Sequence, residues 1–492
     1  MTAFSASQMM NLSGGAPVFV RQITDDQLAQ YSYLIGCQRT GEAIVFDPMR
    51  DIDRYVDLAK QQGLKIVAAA ETHIHADFLS GLRELGELPG VKLFLSGEGD
   101  EEWTPRWLDQ HSGGGSYDHR LLRDGEIFSL GNIDFRVLHT PGHTPEHLSF
   151  LVTDRGAGAD QPMALISGDF LFVGDLGRPD LLETAAGHAG SMEPAARELF
   201  QSAHLINLLP EFVQVWPGHG SGSACGKALG AVPTSTIGYE MRFNSALSQS
   251  ASEEEFVQEI LSGQPEPPLY FSEMKRLNRD GVPVLEKIRT PKRMNEDQFV
   301  AAYESGAIVV DTRDWDLFKE QFLPGSLSIP MTSRLNSSLG SFLELDDRLL
   351  MVCREEDVDE MVRRLIRIGF DKILGWVHPD EIVGLSSYLG AWGTIEEVRS
   401  SDFLEGMEFE GRGILDVRKS SEFEEDHIPG AINISHTRLR SQLHELDKNI
   451  TWYVICETGD RSARSSSFLN AMGWSVINLS GGMQGLRKGK VL

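Results

Sequence analysis

In the first half of the chain, short apolar runs stop abruptly at clusters of histidine and aspartate. Lys65 to Ala70 leads into ETHIHAD, Ile133 to Leu138 into HTPGH, Met163 to Ile166 into SGD, and Phe212 to Val215 into WPGHG. Runs this short, rich in Val and Ile and bounded by Gly and Pro, predict buried strands. Titratable side chains gathered at strand ends are where sheet proteins place their chemistry. A polar stretch follows from Ser250 to Arg293, with QPEPP and TPKR inside it. It predicts a helix and a linker between domains.

The remainder carries an internal repeat. VDTRDWDLFKEQFLPGSLSIP places a Pro-Gly thirteen residues after Asp311, and LDVRKSSEFEEDHIPGAINIS does the same after Asp416. In each copy an apolar strand then ends in a cysteine (Cys353, Cys456), followed by a helical stretch and Gly369-Phe370 or Gly473-Trp474. Alternating strands and helices in this order predict a small parallel α/β domain, present twice.

Size and charge narrow the picture. At 492 residues the chain is too long for one core and fits roughly three domains. Residues 1–260, a linker over 261–293, a second domain over 294–392 and a third over 393–492 are the expected divisions. Hydrophobic residues make up 41% and charged residues 24%, as in soluble globular proteins. A formal net charge of −27 opposes nucleic acid and anionic membranes as partners. Met1 to Phe19 shows no basic stretch before an apolar run, so no secretory signal is expected. Four scattered cysteines, Cys37, Cys225, Cys353 and Cys456, are too few for a disulfide framework and point to a reducing cytoplasm.

The strand-end clusters hold the metal-type residues. His73 and His75 are two apart and can share a face of an extended backbone. His143, Asp169 and His219 follow in TPGHTPEH, SGDFLF and WPGHG. A lone histidine on a strand is usually a core or surface residue, but an ordered set at strand ends is not. This series resembles the metallo-β-lactamase superfamily over roughly the first half of the chain. The resemblance implies an αββα sandwich with a metal at one edge of its sheets.

One position departs from the common two-metal pattern HxHxDH. Its last histidine, with the aspartate before it, builds the second metal site, and here Phe78 stands in its place. A phenyl ring offers no lone pair, so one metal is expected. Within the superfamily the chain resembles most closely the persulfide dioxygenases, which bind one Fe(II). Carried over motif by motif, the resemblance implies His73, His143 and Asp169 as ligands. Two imidazoles and a carboxylate are the facial triad of non-haem Fe(II) oxygenases. His75, Asp77 and His219 then orient ligands or water. Arg178 in GDLGRPD matches a position that faces substrate, the alternative being an ion pair with Asp175 or Asp180. The implied reaction adds both atoms of O2 to the terminal sulfur of a persulfide, and hydrolysis releases sulfite and the thiol.

After His219 the chain reads GSGSACGKALGAVP. Ser221 and Ala228 break the phosphate-binding P-loop pattern, so no nucleoside triphosphate site is expected. The stretch resembles a segment of dioxygenases fused to rhodanese domains, which keep a cysteine close to the metal. Cys225, next to Lys227, is expected to have a lowered thiol pKa and to accept sulfur transiently; otherwise it fills a tight turn.

In the last domain Cys456-Glu457-Thr458-Gly459-Asp460-Arg461-Ser462 resembles the CxxGxRS loop of rhodaneses, with HIPGA as their second signature. Loop amides curled around the sulfur are expected to lower its pKa. Cys456 is then a nucleophile that carries sulfane sulfur, with Arg461 fixing the loop or holding an anionic substrate. Glu457 and Asp460 add negative charge to the rim, which disfavours thiosulfate as donor. Cys353 is followed by Arg354-Glu355-Glu356-Asp357, without the glycine or Arg-Ser pair. Three carboxylates raise a thiol pKa and repel anions, so the middle domain is expected to be inactive.

The whole chain thus resembles persulfide dioxygenase–rhodanese fusions. One Fe(II) per chain, persulfides, O2 and sulfite are the expected cofactor and substrates, thiosulfate the net product, and a homo-oligomer the expected assembly. The rivals are a zinc thioester hydrolase of the glyoxalase II type, which Phe78 opposes, and a non-catalytic sulfur carrier.

Overall fold

The structure, a computed structural model, describes residues 18–184, 190–248, 252–264, 266–382, 384–385, 392–403 and 411–489. Two six-stranded sheets form its first part. One runs in chain order through Val18–Asp25, Gln30–Cys37, Glu42–Phe46, Lys65–Ala70, Lys92–Ser96 and His119–Leu122. The other is ordered Ser235–Thr236, Gln214–Pro217, Ala164–Gly168, Leu148–Asp154, Ile133–His139 and Ile127–Leu130.

The alternation of side chains decides what each face touches. Tyr33, Ile35, Phe46, Ala68, Phe135, Phe150 and Trp216 point between the sheets and form one core. Phe46 packs with ring centroids 5.3 Å from Phe135 and 5.0 Å from Phe150. Burying each such ring contributes about 1.5–3 kcal/mol relative to exposure. The opposite faces meet helices. Leu34, Val45 and Leu93 pack with Tyr55 and Ala59 of the helix Asp53–Gln61, and Leu165 and Val215 pack with Ala196 and Leu199 of Met192–His204. Helix, sheet, sheet, helix is the αββα sandwich expected.

The repeat forms two all-parallel sheets. The middle one is ordered Leu327–Ser328, Ile308–Asp311, Leu349–Val352, Ile373–Val377, and the last Glu396–Arg399, Ser475–Ser480, Thr451–Ile455, Arg412–Asp416, Ile432–Asn433. Cys353 and Cys456 each follow an inner strand that pairs in parallel with the strand ending in Asp311 or Asp416, as the sequence repeat predicts.

The stretch 261–293, expected as a linker, is folded against its neighbours. Its helix Tyr270–Asp280 buries Tyr270, Phe271 and Met274 in a core that also holds Phe172, Phe342 and Phe468, one from each folded unit. The period of its apolar positions is too short-ranged to announce this; the partners lie far away in sequence. Asn278 at the end of that helix donates its side-chain amide to the carbonyls of His75 and Phe78, each at 2.8 Å. The middle unit also grips the first. Arg367 pairs with Asp25 and Asp51, Arg363 with Asp51 and Asp53, and Arg50 with Asp371. Among the described residues no helix is long and apolar enough to cross a membrane.

Candidate metal centre and sulfur-transfer loop

The strands Lys65–Ala70, Ile133–His139, Ala164–Gly168 and Gln214–Pro217 end on one edge of the sandwich and bring their motifs together. His73, His143 and Asp169 are all buried, with one ligand atom each lying within 4.8 Å of the others. Asp169 Oδ2 is 3.6 Å from His143 Nε2 and 3.9 Å from His73 Nε2, and it has no hydrogen-bond partner. A buried carboxylate oxygen without a partner, facing two imidazole nitrogens, is costly unless a cation binds there.

Neighbouring groups set the imidazole tautomers. His143 Nδ1 donates to the carbonyl of Arg178 at 3.2 Å, which leaves its Nε2 lone pair free. The Thr72 hydroxyl donates to Asp47, so it accepts from His73 Nδ1 at 2.9 Å, again leaving Nε2 free. Burial pushes the pKa of both imidazoles down and keeps them neutral, as ligands must be. The residues therefore fit a single cation held by two nitrogens and one oxygen.

A glycine is required just before Asp169. Gly168 has φ +51°, and a Cβ there would meet Thr72 Oγ1 at 2.6 Å and His147 Nε2 at 2.7 Å. This turn lets the Asp169 amide donate to His147 Nε2 at 3.0 Å, while Thr140 Oγ1 holds His147 Nδ1 at 2.8 Å. His147 and Asp47 thus fix the centre from outside the ligand set. Sequence reasoning gave neither a role: His147 stands in the quoted TPGHTPEH, but nothing in its spacing separates it from His143.

The three residues expected to orient the ligands do touch them or their loop. His219 lies between two carboxylates, 2.7 Å from Asp169 Oδ1 and 2.8 Å from Asp77 Oδ2. Against the effect of burial, Asp169 holds its pKa well above the usual imidazole range. His219 thus bridges the two carboxylates through both ring nitrogens, and with Asp77 and Cys225 it forms a second buried cluster of metal-type donors beside the first. His75 turns away to Asp47 at 3.2 Å; burial opposes its charge, but that bond holds its pKa at about 9. The fully buried Phe78 ring packs against it, centroids 4.4 Å apart.

Two expectations are corrected. Arg178 is fully buried and its guanidinium is committed, with Nε and one terminal nitrogen on Asp180 at 2.9 and 2.6 Å and the other on the Ala224 carbonyl at 2.8 Å. It is the ion-paired alternative that the structure displays. Cys225 does lie by the centre, with Sγ within 4.8 Å of donor atoms of Asp77 and His219. Its thiol is not activated by Lys227, whose ammonium donates to the carbonyls of Glu259 and Ser262. Burial instead pushes the Cys225 pKa up to about 12.

In the last unit the chain curls after Thr451–Ile455 so that the Gly459 amide donates to Cys456 Sγ at 3.1 Å, with Ser462 Oγ at 3.6 Å. Arg461 makes a two-pronged pair with Glu422, both contacts 2.6 Å. The rim is not left negative as expected: Glu457 is paired with Arg418 and Arg487, and Asp460 with Arg334 and Arg464. In the middle unit Cys353 is fully buried, and burial followed by Asp357 and Asp311 pushes its pKa up to about 12. Cys353→Ser is expected to leave oxygen uptake and sulfur transfer within about twofold of the parent, measured side by side. A large loss in either would show that the middle unit is chemically active.

Comparison with known proteins agrees with this layout. The Metallo-beta-lactamase superfamily model matches residues 25–219, and the Rhodanese-like domain model matches 400–488. "Persulfide dioxygenase ETHE1, mitochondrial" of Mus musculus is 30% identical over 212 residues, covering 42% of this chain and 70% of that protein. Its Bos taurus counterpart is 28% identical over 248 residues, 49% of this chain and 80% of that one. A crystal structure titled as a metallo-beta-lactamase from Staphylococcus aureus subsp. aureus COL is 39% identical. It covers 74% of this chain and all of its own, with a TM-score of 0.65. The chain belongs to the metallo-β-lactamase superfamily. Within it, the chain is a relative of the persulfide dioxygenases joined to a C-terminal rhodanese-like domain.

Proposed function

We propose that this chain is a one-iron persulfide dioxygenase whose sulfite product is converted to thiosulfate at Cys456. The observation that carries the reading is the unpartnered Asp169 Oδ2 facing the Nε2 atoms of His73 and His143, with Phe78 standing in the sequence where the two-metal motif has its last histidine. When bound by these three residues, ferrous iron would supply the open coordination positions and redox capacity for dioxygen chemistry. The overall change balances as R–S–SH + O2 + H2O giving R–SH, sulfite and two protons.

The chain's own residues do the rest. Thr72 and Arg178 hold the two imidazoles in ligating tautomers. His219 ties Asp169 to Asp77 and so fixes the carboxylate's orientation. Cys456 takes sulfane sulfur from a second persulfide, becoming Cys456–S–S⁻ and releasing R–SH; its terminal sulfur then passes to sulfite. A zinc thioester hydrolase on the same fold is the competing reading. Elemental analysis of the purified protein is expected to find about one iron per chain, together with persulfide-dependent oxygen uptake. Two zincs per chain and hydrolysis of thioesters without oxygen uptake would sink the proposal.

A further inference from the structure

A cavity of about 930 Å3 opens where the three units meet. Its walls include Asp77 of the metal loop, Tyr270 of the connecting helix, Arg334 of the middle unit, and Thr458 and Arg461 of the Cys456 loop. The loops that carry both candidate sites therefore border one partly open cavity.

The wall beside the Cys456 loop has an unfilled polar group. His436 is only 8% exposed, and neither ring nitrogen has a hydrogen-bond partner. A buried imidazole with two idle positions calls for a ligand. Burial lowers its pKa, and the charges that lower it further are all cations: Arg461, Arg464, Arg334 and Lys419. On the same wall Glu422 pairs with Arg461 and Glu457 with Arg418 and Arg487, while Glu266 accepts from the Ser435 hydroxyl at 2.8 Å and makes no ion pair among the described residues. One cation is not fully used. Arg334 gives one terminal nitrogen to Asp460 at 3.0 Å, and its Nε and other terminal nitrogen have no partner among the described residues. Lys419 also lines the cavity, where burial lowers its pKa and the nearby Glu422 carboxylate opposes that shift.

We propose that Arg334, Lys419 and His436 form a binding site for a small sulfur oxyanion, which holds sulfite beside Cys456. The assignment of sulfite rests on the sulfur-transfer reading above. A neutral imidazole donates one N–H to the oxyanion, and the two cations balance its charge. The reaction served is Cys456–S–S⁻ + SO3²⁻ giving Cys456–S⁻ + S2O3²⁻. The bond between Cys456 Sγ and the sulfane sulfur breaks, and one between that sulfur and the sulfite sulfur forms. Electrons and charge balance without a further reactant. Arg334 belongs to the unit whose own cysteine is idle, so that unit completes its neighbour's site.

The test uses the full chain with Arg334→Gln and Lys419→Gln, each checked for an unchanged circular dichroism spectrum. In steady-state thiosulfate formation, KM for sulfite is expected to rise about tenfold in each variant, the loss of one charge-assisted hydrogen bond. Equilibrium dialysis with sulfate, an unreactive oxyanion, gives a readout without catalysis: the parent binds it and the variants do not. An unchanged KM for sulfite in both variants overturns the site. So does a rise confined to persulfides of phosphorylated carrier thiols, which would make the occupant a carrier phosphate. If the parent makes no thiosulfate, dialysis alone decides. Sulfate binding lost in the variants keeps the site and sinks the sulfur-transfer reading, and no binding by the parent removes the site.

Discussion

Asp169→Asn is expected to empty the proposed iron site and to lower persulfide-dependent oxygen uptake by about a hundredfold or more. Changes to groups that merely support metal ligands already cost about 10–100-fold. Asp169 does more than support: its Oδ2 faces both Nε2 atoms, and its Oδ1 accepts from His219. Asparagine keeps the shape but removes the negative charge, so a cation would sit among neutral donors only. The amide would also have to present either NH2 to the metal or NH2 to the His219 N–H, and both are repulsive. Iron measured by elemental analysis should fall with oxygen uptake, while thiosulfate formation from persulfide and added sulfite should continue at Cys456. Retention of one iron and of oxygen uptake in this variant would move the ligand set elsewhere.

How much of this centre was legible in the sequence depends on what each residue leans on. His73, His143 and Asp169 end strands of a fold whose alternation is local, so their convergence follows from the order of the motifs. The parallel repeat was equally open to inspection, because Asp311 and Asp416 stand at the same distance from their Pro-Gly turns. What stayed hidden is long-range. The stretch 261–293 looked like a connector because its composition is polar and Pro-containing, yet Asn278 bonds back to carbonyls some two hundred residues earlier. No short window contains that information.

The charged residues misled for a related reason. Glu457 and Asp460 read as a negative rim when only the loop is in view. In the fold their charges meet Arg418, Arg487, Arg334 and Arg464, three from segments distant in the chain and one from the helix that follows the loop. Lys227 sits two residues from Cys225 in sequence and points elsewhere, so proximity along the chain overstated its effect on the thiol. Arg178 had two readings, and the choice was made by burial: a guanidinium with no exposed surface must pair with a carboxylate, and Asp180 is two residues away.

Cys456→Ser is expected to abolish enzymatic thiosulfate formation while oxygen uptake continues. The nucleophile must be a thiolate, and a serine hydroxyl has a far higher pKa and cannot take up sulfane sulfur. The substitution is nearly isosteric. The Gly459 amide that donates to Sγ at 3.1 Å can donate to Oγ, so the loop should keep its shape. The proposed iron chemistry would depend on His73, His143 and Asp169, none of which belongs to the Cys456 loop, so persulfide should still be oxidised. The released product should then shift from thiosulfate to sulfite, read by chromatography of both anions after a fixed oxygen uptake. Sulfite also attacks persulfides without an enzyme, so an enzyme-free control must be subtracted. Thiosulfate above that control would place the transfer at another thiol, and Cys225 would be the first to replace because it lies beside Asp77 and His219. If the variant instead stopped consuming oxygen with its metal intact, the two sites would be coupled, and the cavity that both loops border would be the place to test first.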